Sequence, residues 1–481
     1  MTSLARLEGA LMGFRRWLAA LAPRLTKAAL FGVPLIALAV FLAWEVPRIS
    51  PITAGQTDAL PIFLGLRALA AGNDPYALSI GAQAYRLTTG VSGPVSIDHA
   101  AQFSLHYPLP PALLYLPMSL LPSLEAAAFV ARALTVGVYL AALLCLARRY
   151  APAARPLTMA WLLLWGIAWW PFLAVILPII QPTGIVVTAL AFCLLAAGAG
   201  ARAAGESAET RFPQAPAAAG ARQWFWAGFA LFFALLKPQD ALPALAVLAI
   251  WAALRPEARW RLLAGFGVVA IVPTTLAFFW RPDWLTTWAS ALVALPARIP
   301  AYYLSPLAAL SQRLGPAGLL VWALAGALVI AWLVLVVWGA RHANQPAASL
   351  AGRWRLLSRA RDPQWGIAVG CALALALLPR TGGYEMAIGL VPWFYAWQWA
   401  GEIEQIGRRR LARGALAALW LACGALAYGD HGYGSGVAFG VGLLLVLGAL
   451  MIAAPELHAD DLSEQKLTTG SYLISGPRVQ S

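Results

Sequence analysis

Asp58, Lys237 and Arg380 stand out in a chain whose side chains are mostly chemically inert. A carboxylate can accept a proton from an attacking hydroxyl, and a cation can steady the charge that develops on a departing phosphate. Arg380, in Pro379-Arg380-Thr381-Gly382-Gly383, offers the bidentate hydrogen bonding that suits phosphate. Lys237 opens Lys237-Pro238-Gln239, and Asp58 is followed by Gly72-Asn73-Asp74-Pro75-Tyr76 and by His106-Tyr107 ahead of a proline cluster. Each group also has a plainer reading. Thr57-Asp58 before an apolar-periodic run makes a good helix N-cap, the simpler account on those facts alone. Asp74-Pro75-Tyr76 is by default a turn. His106 and Tyr107 suit a membrane-interface belt, and a solitary lysine at a membrane surface can snorkel.

The elements that would position these groups are membrane helices. The chain has 481 residues, 61% hydrophobic and 11% charged, with a mean hydropathy of +0.72, which places it among polytopic membrane proteins. The expected fold is all-α, a transmembrane helical bundle. Crossing a bilayer takes about 20 helical residues, and candidate spans fall near 28–46, 123–147, 157–177, 184–201, 223–236, 239–254, 262–280, 316–339, 364–379, 384–400, 414–428 and 435–453, roughly twelve in all. The segment 108–121 is apolar but short and proline-bounded, so it reads as a re-entrant or half-buried helix. With both termini cytoplasmic, most of the 34 Lys and Arg then fall on the inner side. The division is a cytoplasmic N-terminus (1–27), a transmembrane domain (28–454) and a cytoplasmic tail (455–481). Within the domain, 47–107 is the first outer loop and 198–222 a cytoplasmic linker. Helical spacing of Leu60, Phe63, Leu66 and Leu69 predicts an amphipathic juxtamembrane helix over 58–71, lying on the outer leaflet and ended by Gly72.

The net charge of +14 is scattered over inner loops and is a topology signal, so no nucleic-acid partner is expected. The four cysteines lie in apolar spans without a C-x-x-C, and His99, His106 and Asp98 fall short of a metal-ligand motif, so no metal or cofactor is expected.

The order of these parts resembles a known family. Asp58, the Gly72–Tyr76 stretch, Tyr107 with its prolines, Gln181 between two spans, Lys237-Pro238-Gln239, and Pro379 with Tyr384 are similar to the GT-C superfamily of integral membrane glycosyltransferases. The nearest resemblance is to glycosyltransferase family 87, which includes polyprenyl-phosphate-mannose-dependent mannosyltransferases. It covers most of 28–400 and rests on short motifs in order. It implies a multi-pass enzyme of the plasma (inner) membrane, working on the cell envelope with its active site outward. A hexose, mannose foremost, would pass with inversion from a polyprenyl-phosphate donor to a lipid, glycan or protein acceptor, without a nucleotide or other cofactor. Asp58 would be the catalytic base. Lys237 and Arg380 would contact the phosphate, and Gln239, Tyr107, His106, Asp74, Tyr76, Gln181 and Tyr384 would line the substrate site. Three positions depart from the family pattern: Tyr107-Pro108-Leu109-Pro110, Ile180-Gln181-Pro182-Thr183, and Glu385 where an aromatic or neutral residue is expected. The rival reading is a transporter or flippase of a lipid-linked sugar, which predicts inverted repeats and paired intramembrane charges.

Overall fold

Apolar runs in this chain close their hydrogen bonds locally, and every regular element among the described residues is helical. The computed structural model describes residues 58–150, 166, 180–209, 216–294, 306–343, 361–377, 383–401, 403, 405–430 and 433–453. The spans expected at 28–46 and 157–177 lie outside these residues, apart from Gly166 in the second. Four described helices are long and apolar enough to cross a membrane: Leu124–Tyr150, Ala258–Trp280, Gly315–His342 and Ile406–Ala427. They match the spans expected at 123–147, 262–280, 316–339 and 414–428. Other expected spans correspond to shorter apolar helices, among them Thr183–Ala199, Pro238–Leu254 and Pro363–Leu377. The span expected at 384–400 divides into a 3-10 turn, Gly383–Gly389, and a helix, Leu390–Gly401.

In chain order, α1 (Leu60–Ala70), α2 (Leu78–Thr89) and α3 (Ile97–Gln102) form the first loop region. The proline-rich segment after them breaks into three short turns, Leu109–Ala112, Leu113–Tyr115 and Leu116–Ser119. The long helix α4 (Leu124–Tyr150) precedes α5 (Thr183–Glu209), α6 (Pro216–Ala234), α7 (Pro238–Leu254) and α8 (Pro256–Trp280). After α9 (Trp284–Ala294) and α10 (Pro306–Arg313) come α11 (Gly318–His342), α12 (Pro363–Leu377), α13 (Leu390–Gly401), α14 (Ile406–Asp430) and α15 (Tyr433–Ala453).

Burial sorts these helices into an inner and an outer set. α12 and α13 are covered on nearly every side, as an apolar helix must be when it lies at the centre of a bundle. α8 and α11 instead leave large apolar side chains open, including Ile271, Phe279, Leu319, Leu320 and Ile330. Contiguous apolar surface of that kind suits lipid rather than water. α1 differs from the expectation of a helix resting on the leaflet: Leu60, Ile62, Phe63, Leu64, Leu66, Ala68 and Leu69 are all buried, on both faces. It is packed inside protein. Arg67 donates from Nε to the Ser119 carbonyl (2.6 Å) and from Nη2 to the Leu121 carbonyl (2.7 Å), tying α1 to the broken segment below it.

Close helix contact is made where glycines face each other. A Cβ on Gly228 of α6 would lie 2.0 Å from the Leu262 carbonyl oxygen, and one on Gly265 of α8 would lie 1.9 Å from that of Phe225. Small residues let helix backbones approach this way in membranes. Gly265→Val should therefore cost about 1–3 kcal/mol through forced separation of α6 and α8, read as a lower thermal midpoint in detergent. Gly326→Ala on α11, where an added Cβ meets nothing within 4 Å, should leave the midpoint unchanged or higher.

Candidate functional site

The turn that leads into α5 carries a backbone outlier. Ile180 is fully buried with φ of 52°, a left-handed conformation that a β-branched residue adopts only under constraint, at a cost of about 1–3 kcal/mol. The strain places the next residues. Gln181 follows directly, Pro182 begins the turn, and Thr183 opens the helix.

Gln181 joins two distant parts of the chain. Its Nε2 donates to Asp58 Oδ2, and its Oε1 accepts from the Tyr107 hydroxyl at 3.4 Å. The Asp58 carboxylate does not cap α1. The N-cap is Ala59, and no side chain makes a capping hydrogen bond there, so the plainer reading of Asp58 fails. The carboxylate is half-buried, and burial lifts its pKa from 3.8 to about 6 despite the opposing charge of Lys237. Burial also raises the Tyr107 hydroxyl well above its usual range, with Asp58, Tyr115, Glu385 and Asp240 adding to the effect.

Lys237 does not snorkel. Only 4% of its surface is exposed, and Nζ donates to Thr183 Oγ1 at 2.9 Å and to Glu385 Oε1 at 3.2 Å. Asp240 Oδ2, one turn into α7, is 3.9 Å away. Charges this deep persist because they are paired. Asp58, Tyr107, Gln181 and Lys237 are thus brought together from the start of α1, the loop after α3, the start of α5 and the start of α7, with Glu385 joining from the Gly383–Gly389 turn.

The other expected site residues divide. Asp74 forms the turn expected of it, Oδ1 accepting from the Tyr76 amide at 3.0 Å, and it also pairs with Arg281 Nη2 at 3.5 Å. The Tyr76 hydroxyl donates to the Tyr107 carbonyl at 3.1 Å, bracing the loop that carries Tyr107. His106 Nε2 contacts the Gln102 carbonyl at 3.1 Å, while its own carbonyl accepts from Trp288 Nε1 at 2.9 Å. Burial lowers the pKa of this imidazole, which therefore packs as a neutral ring. Gln239 is exposed in the first turn of α7. Arg380 lies outside the described residues, and Tyr384 is described only as backbone in the Gly383–Gly389 turn.

Sequence reasoning missed Asp240, Thr183, Ile180 and Arg281. Asp240 had a usable signal, an acid three residues after Lys237 at the start of an apolar helix, where an ionisable residue implies a partner. Ile180 had none, since nothing in its type suggests a positive φ. Among the described residues, no three of His, Cys, Asp or Glu converge as metal ligands would. No protein-family model, curated protein or solved structure matches the chain.

A carboxyl with a folded-state pKa above its unfolded one holds more protons folded than unfolded between 3.8 and about 6. Its contribution to stability is therefore lost as pH rises through that interval and stays lost above it. Asp58→Asn, which keeps an acceptor for Gln181, should raise the thermal midpoint over the parent at pH 7.5, with the gap closing by about pH 4. A capping aspartate would give the opposite result, a less stable variant at neutral pH.

Proposed function

We propose that the protein is a GT-C-type membrane glycosyltransferase that moves a hexose, mannose foremost, from a polyprenyl-phosphate donor to a lipid, glycan or protein acceptor. The observation that carries this reading is the Asp58–Gln181–Tyr107 hydrogen-bond chain beside the buried Lys237. A carboxylate that is free of a capping role, held by a side-chain amide and half-buried is suited to general-base work. A pKa of about 6 leaves it ionised at neutral pH yet close enough to neutrality to take a proton effectively. The proposal includes a twelve-span arrangement with both termini inside and the site facing outward from the plasma membrane.

In this mechanism the acceptor oxygen attacks the anomeric carbon as its proton passes to Asp58. The bond between that carbon and the phosphate oxygen breaks, and the polyprenyl phosphate departs with the electron pair. Attack from the face opposite the leaving group inverts the anomeric centre. Gln181 keeps the carboxylate aimed, and Tyr107 keeps Gln181 oriented. Lys237 supplies positive charge towards the leaving phosphate, joined by Arg380 if the order of motifs is followed.

A second reading has a specific observation in its favour. Lys237, Glu385 and Asp240 are the paired buried charges that a transporter or flippase of a lipid-linked sugar would carry. The two readings share a lipid-phosphate ligand and differ in whether a glycosidic bond is made.

Purified, folded protein should transfer sugar from at least one member of a panel of polyprenyl-phosphate sugars, with turnover rising through a half-maximum near pH 6 as Asp58 loses its proton. Asp58→Asn should lower that turnover by about 10²–10⁴-fold. Undiminished turnover in the variant would sink the role of Asp58. Movement of intact donor across vesicles without any transfer would favour the flippase.

A further inference from the structure

We infer that an anion reaching Lys237 is bound together with one proton, taken up from solvent by the Asp240 and Glu385 carboxylate pair. The inference rests on Lys237 as the phosphate contact, a reading common to both functions above.

Three ionisable groups are buried together here, Lys237, Asp240 and Glu385. Lys237 contributes one cation, already engaged by Glu385 Oε1 at 3.2 Å and within 3.9 Å of Asp240 Oδ2. Asp240 is fully buried. Neither of its oxygens has a hydrogen-bond partner among the described residues, and the same holds for Glu385 Oε2. Three carboxylate oxygens are thus buried and open to a proton. Among the described residues the neighbours add no compensating charge: Asp58 from the start of α1, Tyr107 from the loop after α3 and Cys371 from α12 all interact electrostatically with members of this group, and each is acidic. Thr183 of α5 offers only a hydroxyl.

A phosphodiester that takes Lys237 as its counter-ion leaves Glu385 without one and adds a negative charge beside Asp240. Buried charge that is not paired is expensive enough for a group to neutralise instead. The balance is simple. One solvent proton bonds to a carboxylate oxygen, the Lys237 hydrogen bond passes from that carboxylate to the phosphate, and no covalent bond of the ligand changes. Anion affinity is then linked to pH through these two side chains.

Methyl farnesyl phosphate is a suitable probe, because a phosphodiester carries a single charge that does not titrate near neutrality. Calorimetry on the purified full-length chain in detergent, at one pH and in two buffers of different ionisation enthalpy, should report uptake of about one proton per ligand bound. Affinity should weaken towards about tenfold per pH unit on the alkaline side. Asp58→Asn should preserve the uptake, and Asp240→Asn combined with Glu385→Gln should abolish it. Binding whose heat is the same in both buffers would overturn the inference and leave the phosphate reading standing. Uptake lost in Asp58→Asn, or surviving in the double variant, would place the proton elsewhere and also overturn it. No binding, or binding indifferent to Lys237→Met, would remove the phosphate reading and this inference with it. The parent and Asp58→Asn measurements decide the matter even where the double variant does not fold.

Discussion

Burying the ammonium of Lys237 is the constraint on which the site depends. Removing such a group from water costs several kcal/mol, recovered only if its partners are well placed. Here they come from three elements: Thr183 at the start of α5, Asp240 in α7 and Glu385 in the Gly383–Gly389 turn. These elements are far apart in sequence, yet none can shift without leaving a charge or a donor unmatched. The same cation also bears on Asp58, so the packing of the bundle centre and the state of that half-buried carboxylate are not independent.

A second polar junction holds the other end of this centre. Gln364, at the start of α12, donates from Nε2 to the Tyr150 hydroxyl at 2.6 Å and to the Leu194 carbonyl at 2.8 Å. α5 thus meets the beginning of α12 near its own middle and meets the turn beyond the end of α12 at its start, so the two run antiparallel. Trp332 of α11 adds a bond from Nε1 to the Gly366 carbonyl at 2.9 Å. Between the junctions the contacts are apolar and close, as at Gly370, where an added Cβ would meet Trp332 and Pro243 at 2.5 and 2.8 Å. Side-chain polar bonds at the ends set register, and small residues between them set distance.

The sequence made the helices legible because crossing a bilayer demands long apolar runs, and four of those runs are long described helices. It marked Asp58, Gln181, Tyr107 and Lys237 as notable, and these four come together. What it obscured follows from its one-dimensional nature. Period alone showed an apolar face on α1, but the opposite face is also covered, since Leu60 and Leu64 pack against Ala84 in a separate cluster. Thr57-Asp58 looked like a cap because local pattern cannot reveal that Gln181, 123 positions away, takes the carboxylate instead. Lys237 looked like a surface lysine for the same reason: Thr183 and Glu385, which accept its hydrogen bonds, lie more than fifty residues away. Glu385 was visible as an unexpected acid but not as the counter-ion that explains it. Asp74 and Tyr76 were readable as a turn because their interaction spans two residues.

The length of α7 has a consequence for how deep the chemistry lies. Its 17 residues rise about 25 Å, between Arg255, whose Nε is bound to the Ala340 carbonyl, and Lys237. In the proposed twelve-span arrangement, with Arg255 at one edge of a hydrocarbon layer about 30 Å thick, Lys237 would fall a few ångströms short of the other edge. On the proposed lipid-phosphate reading, a phosphate would have to sink below its usual level to meet it, or the bilayer would have to thin around the protein, as short hydrophobic segments oblige it to do. Either way such a headgroup would arrive partly stripped of water. A single flexible tail can follow a headgroup downward more easily than two acyl chains pinned at a glycerol. Helix length alone would thus separate one class of lipid from another before any side chain touches it.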